Sequence, residues 1–100
     1  GQDAGAQLAK AKGGYVLYNV EPAYDFADAT AALKALSPAK VVAFSVYESD
    51  SLKQVADLIL PIAAAAETEG SYTNLDGRVQ FTSAGGKPRG EARPGWRVLR

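Results

Sequence analysis

Two groups of acidic side chains are the residues of this 100-residue chain best suited to chemistry. Glu67, Glu69 and Asp76 lie near Arg78 in the sequence, and clustered carboxylates beside a cation are the raw material of general acid–base catalysis. Glu48 and Asp50 form a second group, in the turn that follows an apolar run. The chain has no histidine, cysteine or methionine. That removes the commonest metal ligand and the usual general base at neutral pH, and it excludes a cysteine-ligated iron–sulfur cluster or a disulfide framework. No nucleophile or matched second group is evident for Glu67, Glu69 and Asp76, so the structural reading of that group is the stronger one. In it, Arg78 pairs with one of these carboxylates, or with backbone carbonyls, and pins a hairpin to the sheet.

The elements that must position these groups are legible from apolar spacing. Gly1 to Lys12 is rich in alanine, with Leu8 as its one large apolar residue, and reads as a flexible or frayed helix within 1–14, capped by Gly13-Gly14. Tyr15 to Val20 is β-branched and aromatic between Gly14 and Pro22, the pattern of a buried strand. Asp25 is placed to cap a helix, with Asp28 three residues on. Phe26, Ala29, Leu33 and Leu36 then recur at helical spacing until Ser37-Pro38. Val41 to Val46 is a second buried strand. Ser49, Asp50 or Ser51 can cap a short helix with Leu52, Val55 and Ala56 on one side, and Leu58 to Leu60 is a third strand stopped by Pro61.

The predicted fold is α/β: a small parallel three-stranded sheet (about 15–20, 41–46 and 58–60) with crossover helices. A β-hairpin (about 71–74 and 78–82) follows, turning through Asp76-Gly77. The expected α/β domain, hairpin included, runs over 15–82, and a basic loop with the start of a helix fills 83–100. There Pro94 suits a first helical turn, and Trp96 is expected as a core anchor. With alanine so frequent, the expected core is thin and built from small residues. The final helix stops at Arg100 before a second turn, so the chain is expected to be a piece of something longer, with an exposed apolar patch and weak self-association through it.

Parallel strand–helix–strand units often bind nucleotides, and the turn after the first strand is where a glycine-rich loop would let the backbone approach a pyrophosphate. Here that turn is Glu21-Pro22-Ala23-Tyr24-Asp25, with no glycine and two carboxylates. The turn after the second strand, Tyr47-Glu48-Ser49-Asp50, is equally acidic. Negative charge at a helix N-terminus fills the place of an anion, so a phosphate site of the usual kind is not expected.

Net charge is zero but unevenly spread. Residues 1–77 carry five Lys/Arg against ten Asp/Glu, whereas residues 78–100 carry six against Glu91 alone. No aromatic residues interleave the arginines as a stacking nucleic-acid surface requires, so no nucleic-acid partner is expected. No apolar run approaches the length of a membrane span, and direct membrane insertion is not expected either.

The stretch Ala56-Asp57-Leu58-Ile59-Leu60-Pro61, then Glu67-Thr68-Glu69-Gly70, Asn74 and Gly77-Arg78-Val79-Gln80, resembles the molybdopterin oxidoreductase family. Gly90 to Trp96 followed by Val98-Leu99 is similar to the next family segment, and Gly77 is the form found in the respiratory complex I branch. The resemblance implies structural roles for Asp57, Pro61, Glu67, Gly70, Asn74, Gly77, Arg78 and Trp96. It implies a module without catalytic, metal or cofactor groups of its own, inside a subunit that takes part in electron transfer from NADH to quinone coupled to proton translocation. The iron–sulfur clusters of such a parent are bound elsewhere. Implied partners are the rest of that subunit and other peripheral-arm subunits of complex I, on the cytoplasmic face of a bacterial inner membrane. The alternative within the family is a true molybdenum enzyme such as a formate dehydrogenase, in which Glu48, Asp50 or Asn74 would hydrogen-bond the guanine or ribose of a molybdopterin guanine dinucleotide.

Overall fold

In the computed structural model, which describes residues 1–10 and 12–100, alternating helices and strands build one unit, Gly1–Leu60, and a hairpin with a short helix builds another, Pro61–Arg100. The division falls inside the stretch read from sequence as one domain over 15–82, and it groups the hairpin with the basic C-terminal segment.

The first unit runs α1 (Ala4–Ala9), β1 (Gly14–Tyr18), α2 (Ala29–Leu36), β2 (Lys40–Ser45), α3 (Asp50–Val55) and β3 (Leu58–Pro61). The strands form the expected parallel sheet in the order β1-β2-β3, with Gly14 opposite Lys40 and Tyr18 opposite Phe44. Side chains alternate across a strand, so Leu17 and Ala43 share one face with Val41. That face packs with Leu36 from α2 and with Leu52 and Val55 from α3. The core is therefore branched aliphatic rather than small, with Ala32 and Ala43 as its buried alanines in this unit. On the opposite face Tyr18 meets Phe44, ring centroids 6.0 Å apart, while Val16 is 66% exposed. β1 is thus half-buried, with Leu17 its one buried residue, because helices cover the other face.

Two helix boundaries differ from the sequence reading. α1 ends at Lys10, whose backbone is extended, so Gly13-Gly14 do not cap it and Gly14 opens β1. Its start is fixed by Asp3, whose side chain accepts the Ala6 N–H at 2.8 Å. α2 is capped by Asp28, which accepts the Ala31 N–H at 2.9 Å. Asp25 cannot do that, because its carboxylate accepts the Glu21 N–H at 2.6 Å and closes the turn before the helix. α3 starts at Ser49, one of the three residues suited to it.

In the second unit a single 3-10 turn (Ala65–Glu67) leads to β4 (Gly70–Thr73), paired antiparallel with β5 (Val79–Thr82), and α4 (Gly95–Leu99) follows. Ile62 bridges Arg93, and the Ala63 N–H donates to the Arg93 carbonyl at 2.8 Å. Pro94 stands at the N-cap of α4 and not inside its first turn. Trp96 is 56% exposed, with the Arg97 guanidinium 5.0 Å from its ring centroid. The expected core anchor is a surface aromatic, because α4 buries only Gly95.

Candidate functional site

The carboxyl ends of parallel strands are where open α/β sheets bind ligands, and here that edge carries a connected set of hydrogen bonds. β1 leaves the sheet through Asn19, whose left-handed φ of 51° turns the chain while its N–H donates to the Phe44 carbonyl at 2.7 Å. Asparagine tolerates that region better than most side chains do. The following turn is held by Tyr24 and Asp25 N–H groups donating to the Glu21 carbonyl at 3.0 and 2.9 Å. This geometry directs the Glu21 carboxylate to the start of α3. Its Oε1 accepts from the Ser51 hydroxyl and, at 3.3 Å, from the Ala23 N–H. Ser49 lies 3.3 Å from Ser51, hydroxyl to hydroxyl, and its Oγ accepts the Leu52 N–H at 3.2 Å. Partial burial pushes the Glu21 pKa up, but the hydrogen bonds from Ser49, Ser51 and Ala23 outweigh that and hold it below its ordinary 4.5. Glu21 is ionised at neutral pH and spends its charge on the chain's own donors.

Glu48 and Asp50 stand at the same edge, and both are exposed. Glu48 lies 3.9 Å from Lys53, a surface pair of small energetic weight. Asn74 belongs to the other unit, and its side chain is already occupied. Its Oδ1 accepts from the Asp76 and Arg78 N–H groups at 3.1 and 2.8 Å. The Gly77 N–H donates to the Asn74 carbonyl at 3.0 Å, and the φ of 78° at Gly77 completes the turn. Asp76 keeps negative φ, so glycine alone supplies the left-handed step.

The remaining residues singled out from sequence hold backbone. Asp57 Oδ2 accepts the Val41 N–H at 2.7 Å and its Oδ1 meets Lys40 at 3.2 Å, tying the starts of β2 and β3 together. The Val41 N–H, with help from Lys40, holds the Asp57 carboxyl below its ordinary 3.8. Glu67 Oε2 accepts the Ala64 N–H at 3.0 Å. Pro61 ends β3 and Gly70 opens β4. Arg78 departs from the carboxylate pairing, one of its two expected roles. Ion pairs among the described residues are Lys40–Asp57 and Lys53–Glu48, so the Arg78 guanidinium pairs with no carboxylate there, and its backbone N–H makes the tie to Asn74. Glu67, Glu69 and Asp76 form no metal-holding group among the described residues, and Glu67 is bound to its own turn.

No group of three or more metal-ligating side chains comes together among the described residues, and no helix there is long and apolar enough to cross a membrane. The turns at this edge lack glycine, and the Ser51 hydroxyl and the Ala23 N–H are engaged by Glu21. The Glu21–Ser51 link escaped the sequence reading, which treated the two acidic turns separately. The available signal was a Ser-x-Ser at one turn and an acid at the neighbouring one, since turns after adjacent parallel strands lie side by side.

Comparison with known proteins agrees with this architecture. A model of the molybdopterin oxidoreductase family matches residues 2–100. Over 61 residues the chain is 46% identical to the mitochondrial NADH-ubiquinone oxidoreductase 78 kDa subunit of Neurospora crassa, covering 58% of this chain and 8% of that protein. It is 39% identical over 64 residues to an NADH-quinone oxidoreductase subunit of Streptomyces coelicolor, covering 64% of this chain and 8% of the relative. A third relative, the NADH-ubiquinone oxidoreductase 75 kDa subunit of Reclinomonas americana, is 34% identical over 59 residues, which is 59% of this chain and again 8% of the relative. The chain thus spans under a tenth of the length of the curated relatives it matches. A family match over residues 2–100, on a parallel α/β unit followed by a hairpin, makes this chain a member of the molybdopterin oxidoreductase family.

Proposed function

We propose that this chain is a non-catalytic structural module of the large peripheral-arm subunit of an NADH:quinone oxidoreductase. The observation that carries the reading is the Glu21 carboxylate seated on Ser51 and the Ala23 N–H at the carboxyl edge of the parallel strands, the edge at which open α/β sheets hold ligands. The names of the similar proteins support the parent. The parent would pass electrons from NADH to quinone, coupled to proton translocation, with iron–sulfur clusters bound outside this chain. The module itself holds no cofactor. Its partners are the remainder of its own subunit and neighbouring peripheral-arm subunits, at the cytoplasmic face of the membrane in a bacterium.

The test is made in the full-length parent. Leu36→Asp and Leu52→Asp place a charge at fully buried positions and are expected to lower the amount of assembled complex. Glu48→Ala and Asp50→Ala are expected to leave the NADH:quinone rate per assembled complex unchanged. Loss of turnover in the exposed-edge variants, with assembly intact, would overturn the structural reading.

A further inference from the structure

A groove of about 500 Å³ runs between α1 and the start of α2, built entirely from residues 3–32. Its floor is apolar, formed by Leu8, Phe26 and Ala32 among others, and three carboxylates, Asp3, Asp25 and Asp28, line it. Each carboxylate accepts a backbone N–H and keeps further acceptor capacity for a cation. Ala4, Leu8 and Phe26 also line a smaller hollow of about 160 Å³, together with Tyr15 and Val16 of β1 and Val20 beyond its end. Apolar floor and acidic wall together suit an occupant that presents an aromatic ring flanked by cations.

The same chain carries such an element. α4 exposes Trp96 (56%) and Leu99 (55%), with Arg97 stacked on the Trp96 ring and Arg100 following. The ring and its guanidinium travel as one unit. The charge of the chain divides in the same sense, with residues 1–77 acidic and residues 78–100 basic. We propose that the groove receives α4 of a second copy of this chain, Trp96 entering the apolar floor while Arg97 and Arg100 face Asp25 and Asp28. A contact of one short helix is small beside a standard interface, so the association is weak and salt-sensitive.

Trp96 is the only tryptophan, so its fluorescence reports the contact directly. The whole chain would be followed by sedimentation equilibrium and by Trp96 emission over roughly 10 μM to 1 mM, the range of weak affinities. The average mass is expected to rise with concentration, the emission to shift to the blue in step, and added salt to reverse both. Trp96→Ala, on an exposed position, and Ala31→Lys, which sets a cation at the exposed lip of the groove, are each expected to weaken association about tenfold, the loss of one small set of contacts. A mass that stays monomeric would overturn the proposal. So would association that neither substitution weakens, which would assign the contact to another surface, or a blue shift without a rise in mass, which would place α4 in the groove of its own copy.

Discussion

Glu21 and Asp57 are carboxylates whose ionised forms are held by neighbouring donors, and this fixes how stability responds to acid. Both titrate below their ordinary values of 4.5 and 3.8 in the folded chain. A carboxylate lowered on folding contributes stability that is fully present above its unfolded value and is lost as pH falls through the folded one. Urea unfolding between pH 7 and pH 2.5 should therefore show stability declining from about pH 4.5 downward, the upper of those two ordinary values. Glu21→Gln and Asp57→Asn should each flatten that decline, and a slope unchanged by both would contradict the assigned hydrogen bonds. Gly77 makes a separate case. At φ 78° any Cβ is strained although nothing lies within 4 Å of it, so Gly77→Ala should cost about 1 kcal/mol through backbone conformation alone. Chemical denaturation followed through the Tyr72 and Phe81 region is the readout.

Among the elements, the three strands and their parallel sense were readable because short apolar runs alternate with segments of helical spacing. Helix starts were less readable. Asp25 and Asp28 both have the right side chain, and only the turn geometry, in which Asp25 answers the Glu21 N–H, hands the cap to Asp28. Asp28→Ala should accordingly destabilise the first unit by about 1 kcal/mol, and Asp25→Ala should leave the helix start at Ala29 in place, as amide chemical shifts would show. Trp96 misled for a different reason: helical spacing of Trp96 and Leu99 shows a shared face, not what that face meets. The core itself rests on Leu36, fully buried between α2 and the sheet, and Leu36→Ala should cost about 2–5 kcal/mol in thermal or chemical unfolding. The Glu21–Ser51 link lay beyond the sequence reading because it joins residues 30 apart across two turns.

At the scale of the whole molecule, the chain carries a parallel α/β unit of the molybdopterin oxidoreductase family, and at its strand-end edge the Glu21 carboxylate engages the chain's own Ser51 and Ala23 donors. One fold hosts many functions, so the function proposed for this chain rests on its site and not on the fold. The acidic edge, the occupied Asn74 and the missing glycines are the features that support the proposed packing role over the holding of a guanine dinucleotide. The measurement that tests this most directly is a titration of the chain with GMP or GTP, followed by amide chemical shifts. The account predicts no saturable shifts at millimolar nucleotide among residues 19–25, 47–51 and 74–78. Saturable shifts clustered at those residues would contradict it and restore the cofactor-holding reading.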